Sequence, residues 1–492
     1  MRSRVEHELL ILSDLHLHSR TPAKTVQVLT GLLSRAAEAS SRTGRPCRAV
    51  LAGDFFDFPM IAEVPEPGVA PFEVSAREKR FGLDPTGKKT AWKVEFLSRL
   101  HPGLFRALSR FLAAGNDLVF LPGNHDEETL LPEVQECLRD LLQNRPAGGR
   151  QTRGAAAAAA GTLTFSPWFH YEPGRVYVEH GHFYDVDNVP QPPVRRSPLP
   201  PASSLEQPLG ALMARHLLSA LPWYDSRGDS NRTPWPLLMK VLRTCGPRAP
   251  LTIYRYYAAA ARILAISRER RRRRNQERDN TLAELAADLG VCPGKLQELL
   301  AHTAKPTLLS CGATLRRLYL DRSAAFAVFL VSSLSALPLA GAGRSWPFVF
   351  PALALLVLLF TVRKGNRFGH RTAVQCREAA QRIQRTLSVP CVVMGHAHGA
   401  EKIQGALPDG TTWCYANAGS FDDPGPGHSA RHPFVVLRGS TGAGIVSVPS
   451  LEDAGSIFPA PAGPRPLQPC TAVVPAAEVS GAPVVDPFVG HP

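Results

Sequence analysis

The chain has 492 residues, and its 20% charged and 44% hydrophobic residues fit a globular protein and exclude a wholly disordered one. The formal net charge of +14 favours acidic partners such as phosphates, anionic lipids or nucleic acid. The nine cysteines form no Cys-x-x-Cys pair, so we expect reduced thiols and neither a disulfide framework nor a zinc ribbon. No signal peptide is expected, because residues 1–8 are mostly polar and the apolar run after them is short.

The first half of the chain is predicted to alternate between strands and helices. A strand at residues 9–13, a helix at residues 24–40 and a strand at residues 49–52 form a βαβ unit. Residues 59–90 are rich in proline and charge and are predicted to form a loop over the site. Further strands are predicted at residues 117–121, 162–165, 176–179, 391–394, 413–415 and 434–437, and further helices at residues 91–114, 132–143, 209–221, 254–274, 281–289 and 293–302.

Metal-ligand residues follow the ends of several predicted strands. The clearest example is Asp54, which comes after strand 49–52 and after Gly53, a residue that lets the backbone turn sharply. In open α/β sheets, ligands bind at the carboxyl ends of the strands, so these side chains are expected to meet at one edge. The other candidate ligands are Asp14, His16, Asn124, His180, His396 and His398.

These candidate ligands suit two divalent cations held side by side. Two such ions about 3.5–4 Å apart can clamp a phosphate and ready a water for attack on phosphorus. We expect Asp54 to bridge them, because a shared carboxylate places one negative charge between two cations. Asp14 precedes His16 by two residues, and His396 precedes His398 by two, a spacing that sends side chains to the same side. Oxygen and nitrogen donors without a thiolate favour manganese, with iron or zinc as alternatives.

The same residues lie in five blocks that resemble the calcineurin-like metallophosphoesterase family, in the order found in that family. A sixth and weaker match is Asn417-Ala418-Gly419-Ser420, near the end of the predicted core. The resemblance covers roughly residues 9–182 and 391–437. The five blocks are Asp14-Leu15-His16, Gly53-Asp54-Phe55-Phe56-Asp57, Gly123-Asn124-His125-Asp126, His180-Gly181-His182 and Gly395-His396-Ala397-His398.

This resemblance implies an α/β fold, a four-layer αββα metallophosphoesterase sandwich, and in-line attack of a metal-activated water on phosphorus. The implied catalytic residue is His125, which would protonate the leaving oxygen or steady the transition state, oriented by Asp126. Asp57 is expected just behind the ligands, and His182 either lies there too or contacts the substrate. The implied ligands are Asp14, His16, Asp54 and His398 for one ion and Asp54, Asn124, His180 and His396 for the other.

Within the family, the spacing is similar to that of the UDP-2,3-diacylglucosamine diphosphatases of lipid A synthesis, which share the Gly-Asp-x-Phe and His-Gly blocks. Two features differ from those enzymes. They usually carry arginine where this chain has His125, and this chain has a long insertion before Gly395. His125 is the residue that general phosphatases and phosphodiesterases of the family carry, so the substrate class is left open.

Residues 189–390 are predicted to form a helical insertion with a hydrophobic hairpin at residues 324–362. Its two uncharged apolar segments, residues 324–343 and 345–362, have 20 and 18 residues, within the roughly 17–25 that span a bilayer. Arginine and lysine flank both outer ends, which places both ends on the cytoplasmic side. The alternatives to a transmembrane hairpin are insertion into the membrane interface only and burial within a soluble helical cap.

Two other features of the insertion have more than one interpretation. The arginine-rich run at residues 268–274 predicts either a solvated helix face or contact with an anionic leaflet. Residues 281–300 superficially resemble a helix-turn-helix, which with the arginines could bind DNA. Two amphipathic helices joined at a glycine more often simply pack together, so nucleic acid is not the expected partner.

The sequence therefore predicts a metallophosphoesterase core at residues 1–188 and 391–454, separated by the insertion at residues 189–390 and followed by a disordered tail at residues 455–492. We predict a metal-dependent hydrolase of phosphate ester or pyrophosphate bonds, integral to the membrane and facing the cytoplasm. Its substrate would be a phosphorylated small molecule or a lipid-linked molecule. The alternatives are a phosphatase or phosphodiesterase of a soluble substrate that is only tethered, and a nonenzymatic membrane or DNA-binding scaffold.

Overall fold

A computed structural model describes residues 7–144, 160–191, 194, 205–218, 234–273, 282–340, 348–363, 369–406, 412–421, 432–438 and 443–447. Within these residues the protein is a mixed α/β fold with two mixed β-sheets. The tail predicted at residues 455–492 lies outside the described residues.

Six strands form the first sheet, in the spatial order β11 (Ala443–Ser447), β10 (Pro433–Leu437), β1 (Glu8–Leu12), β2 (Cys47–Ala52), β3 (Asp117–Leu121) and β4 (Leu163–Phe165). Strands β1 to β4 run parallel, whereas β10 pairs antiparallel with β1 and β11 antiparallel with β10. The carboxyl ends of β1, β2 and β3 therefore lie at the same edge of the sheet.

Five strands form the second sheet, in the spatial order β5 (Phe169–Glu172), β6 (Val176–Glu179), β7 (Cys391–Met394), β9 (Thr412–Asn417) and β8 (Glu401–Ala406). Strands β6, β7 and β9 run parallel, and β5 and β8 pair antiparallel at the two edges. The predictions did not include β5, β8 or β11. All three are edge strands, and β8 is half exposed, so cross-strand pairing rather than an apolar pattern defines them.

The two sheets pack face to face through side chains that alternate along their strands. In β1, Leu9 joins an apolar cluster shared by both sheets, whereas its neighbour Leu10 joins a cluster with helices on the opposite face. In β7, Val393 joins the shared cluster and Val392 joins the helices that cover the second sheet. Because strand side chains have a period of two, each central strand is apolar on both faces.

The helices of the described residues are α1 (Ala23–Thr43), α2 (Ala76–Phe81), α3 (Gly87–Leu100), α4 (Pro102–Ala113), α5 (Pro132–Arg139), α6 (Leu209–Met213), α7 (Pro234–Cys245), α8 (Ala249–Arg273), α9 (Leu282–Asp288), α10 (Pro293–Ala301), α11 (Cys311–Arg317), α12 (Leu320–Ala340), α13 (Val349–Arg363) and α14 (Gly369–Leu387). Side chains of α1, α3, α4 and α5 bury the outer face of the first sheet.

The outer face of the second sheet is covered by α9, α10 and α14. Leu285, Leu296 and Ile383, one from each helix, share a buried cluster with Met394 of β7. Helix α14 thus packs on the core sheet, although its residues fall within the predicted insertion at 189–390. Its packing on the sheet is a tertiary contact, which the sequence pattern of the insertion does not indicate.

The stretch at residues 59–90, predicted as a loop, contains α2 and the start of α3. Ser75 caps α2, because its hydroxyl accepts a bond from the Glu78 backbone N–H at 3.2 Å and the Glu78 carboxylate accepts from the Ser75 N–H at 3.0 Å. A helix of six residues is too short for apolar periodicity to indicate it.

Helices α12 and α13 form an antiparallel apolar hairpin. Arg322 Nε donates to the Thr361 carbonyl at 3.1 Å, which brings the start of α12 beside the end of α13. Among the described residues, one helix is long and apolar enough to cross a membrane, over Leu320–Leu337, and the apolar part of α13 is the shorter Val349–Thr361. A helix of that shorter length rises about 20 Å, less than the roughly 30 Å hydrocarbon core of a bilayer.

Candidate metal centre

The side chains predicted as ligands come together at the carboxyl ends of parallel strands from both sheets. Asp14, Asp54 and Asn124 follow β1, β2 and β3, and His180 and His396 follow β6 and β7. The segments after β1 and β7 add an imidazole each. The residues assembled in this way are Asp14, His16, Asp54, Asn124, His180, His396 and His398.

Asp14 is fully buried between two imidazoles. His398 Nε2 lies 3.2 Å and His16 Nε2 lies 3.7 Å from Asp14 Oδ1. The other carboxylate oxygen accepts hydrogen bonds from Ser13 Oγ at 2.6 Å and from the His396 backbone N–H at 2.9 Å. These two bonds orient the carboxylate, so that Asp14, His16 and His398 form a group able to hold a cation.

Asp54 lies between two imidazoles from different parts of the chain. Its Oδ2 atom is 3.3 Å from His180 Nε2 and 3.8 Å from His16 Nε2. His180 Nε2 also lies 3.2 Å from Asn124 Oδ1. Asp14, Asp54 and His180 form a second group with ligand atoms close enough for one cation. Asp54 therefore contacts a histidine of each predicted metal position.

Two buried polar atoms of the centre have no hydrogen-bond partner among the described residues, Asp14 Oδ1 and His16 Nε2. An unsatisfied buried carboxylate oxygen costs free energy, so native structures pair such atoms. A divalent cation at this point would satisfy both atoms. The donor set is oxygen and nitrogen only, which fits manganese, iron or zinc.

His125 contacts Asp57 through its ring and Asp54 through its backbone. Its Nδ1 atom lies 2.8 Å from Asp57 Oδ1, and its backbone N–H donates to Asp54 Oδ1 at 2.8 Å. Asp57 Oδ2 is also 3.4 Å from His16 Nδ1, so this carboxylate contacts both imidazoles. The His125 side chain is 18% exposed, which leaves it accessible to a substrate.

Asp126 does not orient His125, and that prediction is wrong. The Asp126 carboxylate is fully buried and is occupied by backbone donors, so it cannot also hold the imidazole. It ties the Gly-Asn-His-Asp block to the segment around Asp54. The donors are the backbone N–H groups of Gly123, Asp54, Phe55 and Phe56, at 2.7, 3.1, 2.8 and 3.2 Å.

His396 and His182 line the side of the centre formed by the second sheet. The His396 ring centroid is 5.1 Å from that of His180, and its Nε2 atom lies 3.1 Å from Asp185 Oδ2. His182 is 1% exposed and its ring lies 5.3 Å from that of His180. Burial and the neighbouring His180 and His396 lower the pKa of His182, so this imidazole is neutral.

The backbone is left-handed at most of the predicted ligands. This region costs a non-glycine residue about 1–2 kcal/mol, although aspartate and histidine adopt it more readily than most. Among the described non-glycine residues, only Tyr319, Ser388 and His432 share it outside the centre, so the strain is concentrated at the site. The ligands are Asp14, His16, Asp54, His396 and His398, with φ of 54°, 49°, 52°, 64° and 58°.

Two glycines of the family blocks allow this close packing. Gly53 has φ of +82°, and a Cβ there would lie 2.5 Å from His180 Cγ. A Cβ on Gly123 would lie 2.1 Å from Asp54 Oδ1. Any side chain at either position would displace a predicted ligand.

The carboxylates and imidazoles of the centre shift one another's pKa values. Burial raises the pKa of Asp54, but His180 and His125 outweigh it and hold that pKa well below its usual range. Burial lowers the pKa of His180, but Asp54 and Asp14 outweigh it and raise the pKa to about 9. Burial lowers the pKa of His125 as well, and Asp57 and Asp54 raise it overall. The metal-free centre thus balances its buried carboxylates with protonated imidazoles.

Sequence reasoning missed two polar residues of the centre, Asp185 and Asn188. Asp185 contacts His396, and Asn188 Oδ1 accepts from Asn124 Nδ2 at 3.2 Å. The signal in the sequence is the run Asp185-Val-Asp-Asn188, which begins three residues after the last histidine of the His-Gly-His block. Such a run otherwise indicates only a turn.

Neither a scan against protein-family models nor a search of curated proteins finds a match to this chain. The interpretation of the site therefore depends on the chemistry and geometry of its own residues.

Proposed function

We propose that this protein is a metallophosphoesterase, a hydrolase that cleaves a phosphate ester or pyrophosphate bond at a dinuclear metal site. The observation that carries the proposal is the position of Asp54 between His16 and His180, because a pair of cations requires a carboxylate that reaches both. Two face-to-face sheets with helices on both outer faces are compatible with the four-layer αββα sandwich of the calcineurin-like family.

The seven donors divide into two overlapping sets, each of which would hold one ion. When bound, the two cations polarise the phosphate and lower the pKa of a water. Manganese is the proposed metal, with iron or zinc as alternatives. The sets are Asp14, His16, Asp54 and His398 for one ion and Asp54, Asn124, His180 and His396 for the other.

His125 is the proposed proton donor to the leaving oxygen. The contact between Nδ1 and Asp57 leaves Nε2 as the ring atom that faces substrate chemistry. The carboxylates of Asp57 and Asp54 raise the pKa of His125, which favours the imidazolium that a general acid needs. Asp126 contributes indirectly, because its four backbone bonds keep Asp54 in place.

We further propose that the enzyme acts at the cytoplasmic face of a membrane, held there by the α12–α13 hairpin. The support is the set of large apolar side chains on both helices that remain exposed. A lipid-linked phosphate or pyrophosphate is the favoured substrate, and a soluble phosphorylated molecule is the alternative. A DNA-binding scaffold is disfavoured, because the apolar sides of α9 and α10 are used in packing against α14.

The decisive test is Asp54→Asn, with metal analysis and a manganese-supplemented screen of phosphomonoesters, phosphodiesters and nucleotide-diphospho-lipids. Loss of the shared carboxylate should reduce turnover about 1,000-fold, equivalent to several kcal/mol of transition-state stabilisation. The matched control is Asp288→Asn, which makes the same charge change on an exposed residue of α9 and should leave turnover unchanged.

Two outcomes would overturn the proposal: wild-type protein that holds no paired ions, or Asp54→Asn protein that turns over substrate like the control. Within the proposal, the screen also separates the two substrate classes. Lipid-linked phosphates hydrolysed no faster than soluble ones would remove the support for a membrane substrate.

A further inference from the structure

The turn at residues 185–188, which follows the His-Gly-His block, contacts predicted ligands from both sheets. Asp185 Oδ2 lies 3.1 Å from Nε2 of His396, a residue that follows β7 of the second sheet. A carboxylate that accepts the Nε2 proton fixes the ring and its tautomer, and it leaves the Nδ1 lone pair for a cation.

The same turn orients Asn124, which follows β3 of the first sheet. Asn124 Nδ2 donates to Asn188 Oδ1 at 3.2 Å, and Asn188 Nδ2 donates to Asp185 Oδ2 at 2.8 Å. Because its amide nitrogen faces Asn188, Asn124 presents its oxygen to His180, 3.2 Å from Nε2. One short hydrogen-bonded chain therefore orients two donors of the same predicted metal position.

The insertion holds this turn in place through Asp187. Arg317, the last residue of α11, makes a two-pronged contact, with Nε 2.8 Å from Asp187 Oδ1 and Nη2 2.5 Å from Oδ2. Thr307 Oγ1 donates to Asp187 Oδ1 at 2.6 Å, and the Thr307 N–H donates to the Val186 carbonyl at 2.7 Å. Both charged side chains of the pair are largely buried, so removing one leaves the other poorly compensated.

Two further contacts show that the turn is closely fitted to the insertion. The Gly210 N–H of α6 donates to the Asp187 carbonyl at 3.0 Å, and a Cβ on Gly210 would lie 1.9 Å from Asn188 Oδ1. Arg317 also lies close in sequence to Leu320, where α12 of the apolar hairpin begins. The base of the hairpin is thus connected to His396 and Asn124 through one turn.

We propose that Asp185 and Asn188 are positioning residues for the metal position that contains Asn124, His180 and His396, and that Arg317 couples this position to the insertion. The inference rests on the proposed dinuclear centre. It says which residues, outside the ligands themselves, set the affinity for the second of the two ions. The geometry that supports it is the continuous path Arg317–Asp187–Asp185–His396.

The test is titration of the metal-free full-length protein with Mn²⁺, with free ion and spin-coupled pairs followed by electron paramagnetic resonance. Asp185→Ala and Asn188→Ala should weaken the affinity for the second ion, at the position of Asn124, His180 and His396, about 10–100-fold. The affinity for the first ion should not change, because such outer contacts orient a ligand without supplying one. The signal of coupled ion pairs should fall accordingly. A general structural defect would instead weaken the affinity for both ions and lower the unfolding temperature of the metal-free protein.

The coupling to the insertion is tested by Arg317→Met against Arg316→Met. Arg316 is the neighbouring arginine of α11, and its Nε donates within the helix to the Gly312 carbonyl at 3.1 Å. Arg317→Met should weaken the affinity for the second ion about tenfold, and Arg316→Met should leave that affinity unchanged.

The outcomes separate this inference from the proposed function. Wild-type protein without paired ions would overturn the dinuclear centre itself. Wild-type protein with two ions, together with Asp185→Ala and Asn188→Ala proteins that bind both with unchanged affinity, would overturn only the positioning role. If Asp185→Ala does not fold, Asn188→Ala decides. Arg317→Met protein that binds like Arg316→Met protein would overturn the coupling.

Discussion

Single residues of the candidate centre are held in conformations that an isolated chain would disfavour. Asp14 and Asp54 have left-handed backbones and buried carboxylates. Their neighbours compensate for this cost, because Ser13 and the His396 N–H bond the Asp14 carboxylate and Asp126 bonds the Asp54 N–H. Strain that is maintained by several hydrogen bonds indicates a functional position.

At this scale we predict that metal uptake at pH 7 releases protons. The pKa of His180 is raised to about 9 in the metal-free centre, so the imidazole is protonated at pH 7 and must lose its proton to bind a cation. Affinity for Mn²⁺ should therefore rise with pH up to about 9. Calorimetric titration in two buffers of different ionisation enthalpy measures the protons released.

His302→Gln is the control for proton release, because His302 ends the short helix α10 in the insertion and contributes no predicted ligand. It should release the same number of protons as the wild type. Binding heats that do not depend on the buffer would contradict the prediction.

Individual strands of the two sheets are joined by a partly buried ion-pair network at the end opposite the centre. Glu172 of β5 accepts from Arg48 of β2 at 2.8 Å, and from Arg175 at 2.7 Å. Arg48 also donates to Asp117 of β3 at 2.9 Å. Burial raises the pKa of Glu172, but His170 and His7 outweigh it and hold that pKa well below its usual range.

At the scale of these elements, Glu172→Gln should destabilise the protein by about 2 kcal/mol at pH 7, since it removes a charge from several hydrogen bonds. A carboxyl group with a lowered folded pKa stabilises the fold above its unfolded pKa of about 4.5, and this stabilisation is lost as pH falls. The difference from the wild type should therefore shrink below pH 4.5. Urea unfolding at pH 7 and pH 4 measures this difference in the free energy of unfolding.

Glu63→Gln is the matched control, because Glu63 is exposed and the substitution makes the same charge change. It should change stability by less than about 0.5 kcal/mol at either pH. An equal loss for Glu172→Gln at both pH values would show that the charge is not what stabilises the junction.

The molecule as a whole combines a closed α/β core with an exposed apolar hairpin. The core is buried by helices on both outer faces, whereas α12 and α13 pack mainly on each other. Helix α12 is long enough to cross a bilayer, and the apolar part of α13 is shorter. If the hairpin enters a membrane as proposed, this difference favours insertion at an angle or part of the way over symmetric spanning.

At the scale of the whole molecule, we predict that the intact chain sediments with membranes in the absence of detergent. A variant in which a short Gly/Ser linker replaces residues 320–363 should become soluble and still bind two ions. The linker can close the gap, because Arg322 and Thr361 lie at adjacent ends of the hairpin. Intact protein in the soluble fraction would rule out both membrane interpretations.

The central strands and the candidate ligands that follow them could be predicted from the sequence alone. Strands β3, β6 and β7 begin and end where the apolar runs predict, because a strand apolar on both faces leaves a continuous run in the sequence. The candidate ligands Asp14, Asp54 and His180 could be singled out for a related reason. Short apolar strands that stop at polar residues place those residues at one sheet edge.

The side chains that support the candidate ligands became apparent only from the folded structure. Asp57 rather than Asp126 orients His125, and Asp185 orients His396. Edge strands, the short helix α2 and the assignment of α14 to the core were likewise decided by packing. Local sequence patterns reflect the burial of residues along one segment. The supporting contacts join residues far apart in the chain, so they form only when the sheets and the insertion come together.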